Sequence, residues 1–228
     1  MIIGTQTAYV LALQFDMLPE QMRNQAAKLL VENIKHYDNH LTTGFLGTPY
    51  LCHTLTRFGY DSIAYKLLLQ ETYPSWLYPV KKGATTIWER WDGIKPDGTF
   101  QSPGMNSFNH YSYGAIGDWM YQNIAGIQRK DDVPGYKSIV IAPHVGGGFT
   151  YANATLKSPY GQIASSWKIE SNTMKLKIEI PENTTADIVF PASADLSKIK
   201  ENEKNISLTG NSYQVGSGKY EFTFPLLH

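Results

Sequence analysis

Helices first and strands second is the order this sequence predicts, with a helical region over residues 1–134 and an antiparallel β-sandwich over residues 135–228. Three observations predict it. Apolar residues recur at helical spacing from the start to about residue 69. From about residue 138 to residue 224 the period falls to two, in short runs separated by Gly, Pro and Asn. Between the two patterns lies Gln128-Arg129-Lys130-Asp131-Asp132-Val133-Pro134-Gly135, which reads as a polar linker.

The first helix is expected from Thr5 to Phe15, with Ala8, Leu11, Ala12 and Phe15 on its apolar face. Pro19 turns the chain into a second, from about Glu20 to Tyr37, with Met22, Ala26, Leu29, Leu30 and Ile34 on one side. The two form an antiparallel hairpin. Residues 42–49 carry turn chemistry and lead into a third helix, Tyr50 to Phe58, with Thr48 as cap and Pro49 at the first helical position. Gly59 ends it. Asp61 caps a fourth helix carrying Ile63, Ala64, Leu67, Leu68 and Leu69, which stops before Tyr73-Pro74.

From Pro74 to about Phe108 the pattern is irregular and includes the turn signal Pro96-Asp97-Gly98. A connection this long inside a compact domain is either functional or disordered, and Trp76, Tyr78, Trp88, Trp91 and Phe100 argue against disorder. A fifth helix is expected from about Phe108 to Ile127, with Tyr111, Ala115, Trp119 and Ile124 near one face. Strands are expected at residues 138–142, 164–169, 174–180, 186–190, 213–215 and 220–224. The alternation from Met174 to Ile180 implies one face on a core and one in solvent.

Composition narrows the class of ligand. Basic and acidic residues number 20 each, so no global field draws the chain to nucleic acid or to an anionic membrane, and a small neutral ligand suits it better. The aromatic share of 13%, with 15 Tyr and 5 Trp, serves both a core and a stacking site. Cys52, the single cysteine, excludes an internal disulfide and reads as a buried inert thiol. His36 and His40 have the i, i+4 spacing of two metal ligands on one helix face but lack a third ligand, so no metal is expected. No stretch is apolar enough to span a membrane. Met1-Ile2-Ile3-Gly4-Thr5 lacks the pattern of a secretion signal, and a helix begins almost at once, as though inside a larger domain.

Chemistry concentrates in Gly83-Ala84-Thr85-Thr86-Ile87-Trp88-Glu89-Arg90-Trp91-Asp92-Gly93. A carboxylate between two indoles offers a titratable group beside flat apolar faces. Pyranose rings present C–H faces to aromatic planes and hydroxyls to charged groups, and glycosidic bonds are cleaved by carboxylates. Glu89 is therefore the candidate acid or base. The competing reading makes Trp88 and Trp91 core residues and pairs Glu89 with Arg90 at the surface. Asp92 either orients a sugar hydroxyl or pairs with Arg90, and pairing is favoured. His110, in Asn106-Ser107-Phe108-Asn109-His110-Tyr111, is a candidate ligand contact at the start of the fifth helix.

Four motifs in order resemble the C-terminal portion of bacterial α-L-rhamnosidases, glycoside hydrolase family 78. They are Thr43-Gly44-Phe45-Leu46-Gly47-Thr48-Pro49-Tyr50-Leu51, Tyr73-Pro74-Ser75-Trp76-Leu77-Tyr78, the Gly83–Gly93 stretch, and Ser107-Phe108-Asn109-His110-Tyr111 with Gly114-Ala115-Ile116-Gly117-Asp118-Trp119. The resemblance implies an (α/α)6 barrel followed by a C-terminal β-sandwich. It implies that Glu89 is the general base of an inverting hydrolysis of terminal α-L-rhamnosyl bonds. His110 would contact the rhamnose, and Trp88 and Trp91 would help form the walls of the site. No cofactor is implied. The family's general acid comes from a motif in the first half of its barrel, which has no counterpart here.

Twelve helices make such a barrel and five are read, so the chain looks like the second half of the (α/α)6 barrel plus the sandwich, inactive alone. The partner expected is a rhamnose-containing glycoside or polysaccharide. Helix faces meant for an absent half would be exposed and would drive self-association. A noncatalytic sugar-binding module and another (α/α)6 enzyme, such as a polysaccharide lyase, remain open. A lyase would want a Tyr or His base and a cation for a uronate, which the Trp88–Trp91 stretch fits less well.

Overall fold

The computed structural model describes residues 4–208 and 210–227 and divides into two compact units, meeting in sequence at Gly117 and Asp118. Met1–Ile3, part of the start read above as lacking a secretion signal, lie outside the described residues.

In the first unit, α1 (Gln6–Gln14) begins at Thr5, whose hydroxyl accepts from the Ala8 N–H at 3.2 Å. That satisfies one of the donors a helix start leaves open. Gln6 is wholly buried, and its carboxamide donates to the His40 carbonyl and accepts from the Thr42 N–H. This bidentate tie anchors the 40–42 segment to α1. Helix α2 (Glu20–His36) follows, with Glu20 in its first turn and Lys35 in its last, as the helix dipole favours.

The buried faces are rotated from those expected. Ala12 is buried as read, but Val10 and Leu13 take the places of Ala8 and Phe15, which are exposed. On α2, Ala27 and Val31 are buried with Ala26, Leu30 and Ile34, while Met22 and Leu29 are exposed. Apolar residues occupy more than one side of both helices, so spacing alone does not choose the side. The placement of Gln6 and the packing of α1 on α2 do.

Helix α3 (Thr48–Arg57) starts two residues earlier than expected. Thr48 is inside the helix rather than capping it, and its hydroxyl bonds that of Thr43 at 2.8 Å. Likewise Asp61 is the first residue of α4 (Asp61–Leu68), with Tyr60 at the cap position. Cys52 is buried between these helices' apolar residues, and burial pushes its thiol pKa up, which keeps it protonated. Helix α2 ends at His36, and Asp38 and Asn39 adopt left-handed conformations, so His36 and His40 do not share one helix face. Among the described residues no cluster of His, Cys, Asp or Glu is arranged to hold a metal ion, and no helix is long and apolar enough to cross a membrane.

The irregular region contains one short α-helix, α5 (Leu77–Lys81), and a 3-10 turn at Pro103–Met105. The expected helix from Phe108 to Ile127 is instead a 3-10 turn at Ser112–Ala115, α6 (Ile116–Trp119) and a π-turn at Met120–Ile124. Residues 107–110 cannot be helical, because their backbone groups pair across to residues 86–89: the Glu89 N–H donates to the Ser107 carbonyl and the His110 N–H to the Ile87 carbonyl.

Among the described residues the second unit holds ten strands: β1 (Ile127–Arg129), β2 (Ser138–Ile141), β3 (Tyr151–Ser158), β4 (Gly161–Glu170), β5 (Thr173–Ile180), β6 (Thr185–Val189), β7 (Lys200–Glu201), β8 (Lys204–Asn205), β9 (Ser212–Val215) and β10 (Gly218–Pro225). They form a sheet of order β1-β2-β6-β9 and another of order β3-β4-β5-β10-β7-β8. All six expected strands are present. Every pairing is antiparallel except β2 with β6, which is parallel because β3 to β5 lie in the other sheet and the chain returns to β2 in the same direction. Leu176 sits opposite both Trp167 and Phe222, and Phe190 packs edge-on against Phe222 and Phe224. Burying each such side chain stabilises by about 1.5–3 kcal/mol. Gly126 precedes β1 at φ +82°, and a Cβ there would lie 2.4 Å from the Pro143 nitrogen, so this turn requires glycine.

Candidate active site

Two segments distant in sequence are laid side by side by main-chain hydrogen bonds, and this brings the candidate residues together. The Glu89 N–H donates to the Ser107 carbonyl at 2.9 Å, and the Ser107 N–H returns to Glu89 Oε2 at 2.8 Å. Beside this exchange the His110 N–H donates to the Ile87 carbonyl at 2.8 Å, and the Thr86 hydroxyl donates to the Phe108 carbonyl. Glu89 and His110 thus sit on adjoining backbones. The charge-assisted bond from Ser107 holds one carboxylate oxygen, and Oε1 accepts no hydrogen bond among the described residues.

Arg90 does not pair with Glu89. Its Nε lies 3.3 Å from Asp92 Oδ1, and the Gln101 carboxamide donates to Asp92 Oδ2. Both Asp92 oxygens are therefore engaged by the chain itself, with the side chain only 15% exposed. The pairing reading of Asp92 describes this geometry. It leaves Glu89 as the carboxylate of the stretch with a free oxygen.

The indoles divide between packing and lining. Trp88 is 5% exposed and meets Phe108 edge-on, and it also borders a narrow cleft with Trp76, Val80, Ile87, Trp91 and Tyr113. Trp91 stacks on Tyr113 with ring centroids 3.7 Å apart and donates its indole N–H to the Thr43 carbonyl at 3.2 Å. Trp76 is buried and donates to the Tyr113 carbonyl at 2.9 Å. Burial, the largest effect, pushes the Tyr113 phenol up to about 12, so it is a neutral wall at ordinary pH.

His110 stacks on Phe45 at 5.1 Å and on Tyr111 at 5.4 Å, and its Nδ1 accepts from the Ser112 N–H at 3.3 Å. Gly93 closes the far side of the loop. A Cβ on it would come within 3.0 Å of Asn106 Oδ1 and 3.2 Å of both Phe108 and Trp88. The Asn106 carboxamide donates to the Gly93 carbonyl at 3.0 Å.

Sequence reasoning named Glu89, Trp88, Trp91, Asp92 and His110, and all five lie on or beside the paired segments. It missed the Ser107 amide, because a main-chain donor leaves no side-chain pattern. It quoted Phe45 and Tyr113 without assigning them roles, since only the fold stacks them on His110 and Trp91.

The family model described as the bacterial alpha-L-rhamnosidase 6 hairpin glycosidase domain matches residues 1–124, and that of the bacterial alpha-L-rhamnosidase C-terminal domain matches residues 126–205. An α-L-rhamnosidase of Streptomyces avermitilis is 46% identical over 222 residues, 96% of this chain and 21% of its own length. One from Formosa agariphila is 46% identical over 231 residues, 97% of this chain and 25% of its own length. The crystal structure of the Streptomyces avermitilis enzyme complexed with L-rhamnose superposes with a TM-score of 0.90, covering 96% of this chain and 21% of that one. The native enzyme of Aspergillus terreus gives 0.85 at 36% identity, covering 96% of this chain and 24% of that one. The chain spans about a fifth to a quarter of the length of these relatives.

Proposed function

The chain belongs to the bacterial α-L-rhamnosidase family, and from that premise we propose that it supplies the base-bearing part of an inverting glycoside hydrolase. That enzyme removes terminal α-L-rhamnose from glycosides or polysaccharides. In this reading the catalytic helices lie within residues 1–134 and the sandwich within 135–228. The observation that carries it is the Glu89 carboxylate, fixed at Oε2 by the Ser107 N–H and open at Oε1, on a backbone adjoining that of His110.

Inversion divides the work between two carboxyl groups on opposite sides of the sugar. Glu89 Oε1 takes a proton from water as the water oxygen bonds to the anomeric carbon. The bond from that carbon to the leaving oxygen breaks on the other face, and the leaving oxygen receives a proton from a general acid. The acid comes from outside these 228 residues. His110 donates to a sugar hydroxyl, Trp88 and Trp91 wall the site, and Asp92 borders it, paired with Arg90. The L-rhamnose bound in the Streptomyces avermitilis enzyme supports rhamnose as the sugar.

Calorimetry with L-rhamnose and an assay with an aryl rhamnoside test this reading. The wild-type chain is expected to bind L-rhamnose without turnover, and Glu89→Gln to change the affinity by less than about threefold, because the amide oxygen still accepts from Ser107. Rapid turnover by these residues alone would overturn the assignment of the acid elsewhere. Failure to bind L-rhamnose would overturn the assignment of the site. Self-association is proposed through Phe15, Met17, Met22 and Leu29, exposed at 56%, 72%, 54% and 37%. Light scattering at crystallisation concentrations should give a dimer or larger species, and a monomer would count against it.

A further inference from the structure

We infer that Phe45 and the Ser112 amide are positioning elements that hold the His110 imidazole in one plane, one flip and one tautomer, with its Nε2–H presented to a hydroxyl oxygen of a bound pyranose. The sugar half of this statement rests on the reading of His110 as a rhamnose contact. The orientation half stands on geometry alone.

The torsion that turns an imidazole about its attachment is broad and nearly two-fold, so an unsupported ring samples many planes. His110 packs nearly parallel to two aromatic rings, Phe45 with an interplanar angle of 17° and Tyr111 with one of 12°. Stacking on both rings keeps the imidazole in their plane and leaves only its half-turn flip. The flip exchanges Nδ1 with a carbon, and only one of the two orientations offers a lone pair to the Ser112 N–H, at 3.3 Å. A neutral ring that accepts at Nδ1 carries its proton on Nε2. Nε2 has no hydrogen-bond partner among the described residues, so this donor is available to a ligand.

Phe45 is itself fixed. It tilts against Tyr113 at 5.2 Å, Tyr113 stacks on Trp91, and Trp91 meets Trp76 edge-on at 5.5 Å. A continuous series of rings therefore runs from the cleft wall to His110. Phe45 lies in the loop before α3, remote in sequence from both, and its role is to make the His110 plane depend on the same packing that sets the cleft.

Two measurements on the wild-type chain and four variants test this. Long-range proton–nitrogen correlation spectra of His110 should show an unprotonated Nδ1 and a protonated Nε2, with the carbon-bound ring protons shifted upfield by the flanking rings. Phe45→Leu should move those protons downfield, and Phe45→Tyr should restore them. L-rhamnose affinity should fall roughly tenfold in Phe45→Leu, the equivalent of one hydrogen bond, and recover in Phe45→Tyr. In the His110→Ala background, Phe45→Leu should cost nothing further, since it acts only through the imidazole.

A proton on Nδ1, ring signals indifferent to Phe45→Leu, or additive affinity losses in the double variant would each overturn the inference. If the expected spectra appear but the wild-type chain does not bind L-rhamnose, the orientation stands and the proposed function fails, so the two failures are distinct.

Discussion

The loop pair at residues 86–110 and the paired sheets at residues 127–225 solve the same problem by different means. In the sheets, ladders satisfy the backbone and alternate residues fill a core, as in Met174, Leu176, Ile178 and Ile180, all 3% exposed or less. In the loop pair, backbone groups are met one at a time: by the opposite segment at Glu89 and His110, by the Asn106 carboxamide at Gly93, and by the Tyr78 hydroxyl at Ile94. The sheets distribute their stability over many equivalent contacts. The loop pair holds functional atoms through a few unlike ones, so its geometry should be sensitive to substitutions that touch no ligand.

The largest effect expected compares two indoles. Trp167 in β4 is 1% exposed and donates to the Ile124 carbonyl at 2.7 Å, and Trp76 is 8% exposed and donates to the Tyr113 carbonyl at 2.9 Å. Truncating a buried aromatic removes its transfer energy and leaves a cavity and an unpaired carbonyl, so Trp167→Ala and Trp76→Ala should each cost about 3–5 kcal/mol in chemical denaturation. Only Trp76→Ala should also weaken L-rhamnose binding in calorimetry, because Trp76 borders the cleft. If Trp76→Ala left stability nearly unchanged, the loop would not be packed to the standard of the sheets.

A smaller effect isolates register within the loop. Gly93→Ala adds one methyl against Asn106, Phe108 and Trp88 at 3.0–3.2 Å. Overpacking of this kind costs about 1–3 kcal/mol. Asn106 precedes Ser107, whose N–H holds Glu89. The Ser107 amide resonance should therefore shift in Gly93→Ala although the substitution touches neither Ser107 nor Glu89. An unmoved resonance would show that the two clamps on this loop are independent.

The same contrast explains what was legible in the sequence. Strands β5 and β10 were readable because alternation records which face meets the core. Strand β3 was not: Ala152, Ala154 and Leu156 alternate with Asn153, Thr155 and Lys157, but two of the three are alanines, and at the edge of its sheet only Ser158 is fully buried. Helices α1 to α4 were readable as helices, and Ile63, Ala64, Leu67 and Leu68 of α4 are buried as read, but the buried sides of α1 and α2 were legible only in part, since Met22 and Leu29 on α2 and Phe15 beside α1 look as apolar as the residues that pack. At the site, Glu89 stood out between two indoles. The Ser107 amide and the Phe45 ring did not, since one is a main-chain group and the other acquires its partner only when the loop before α3 meets residue 110. The helix expected over 108–111 failed for the same reason: cross-loop pairing takes its backbone groups, and no local preference reveals that.

The smallest effect uses a motif that occurs once in each region. Asp97 accepts from the Thr99 N–H at 2.9 Å and hydroxyl at 2.7 Å, and Asp195 accepts from the Ser197 N–H at 3.2 Å and hydroxyl at 2.6 Å, with Lys198 a further 3.0 Å away. Each carboxyl is held below the ordinary aspartate value of 3.8, Asp97 chiefly by the Thr99 N–H and Asp195 chiefly by the Ser197 hydroxyl and then by Lys198. A folded-state value depressed below the unfolded one gives stability that is complete above the unfolded value and is lost as pH falls through the folded one. Asp97→Asn and Asp195→Asn should therefore each reduce the loss of stability on acidification below the ordinary aspartate range. Asp97 faces solvent and the Asp195 side chain is 16% exposed, and each shift rests on a few near-surface hydrogen bonds, so both effects are small. Salt separates them: the Lys198 contribution is screened at high ionic strength, whereas hydrogen bonds from Thr99 are not. Acid titrations of stability at low and high salt should show the Asp195→Asn difference shrinking more than the Asp97→Asn difference, and equal salt dependence would mean that Lys198 adds nothing to the sandwich turn.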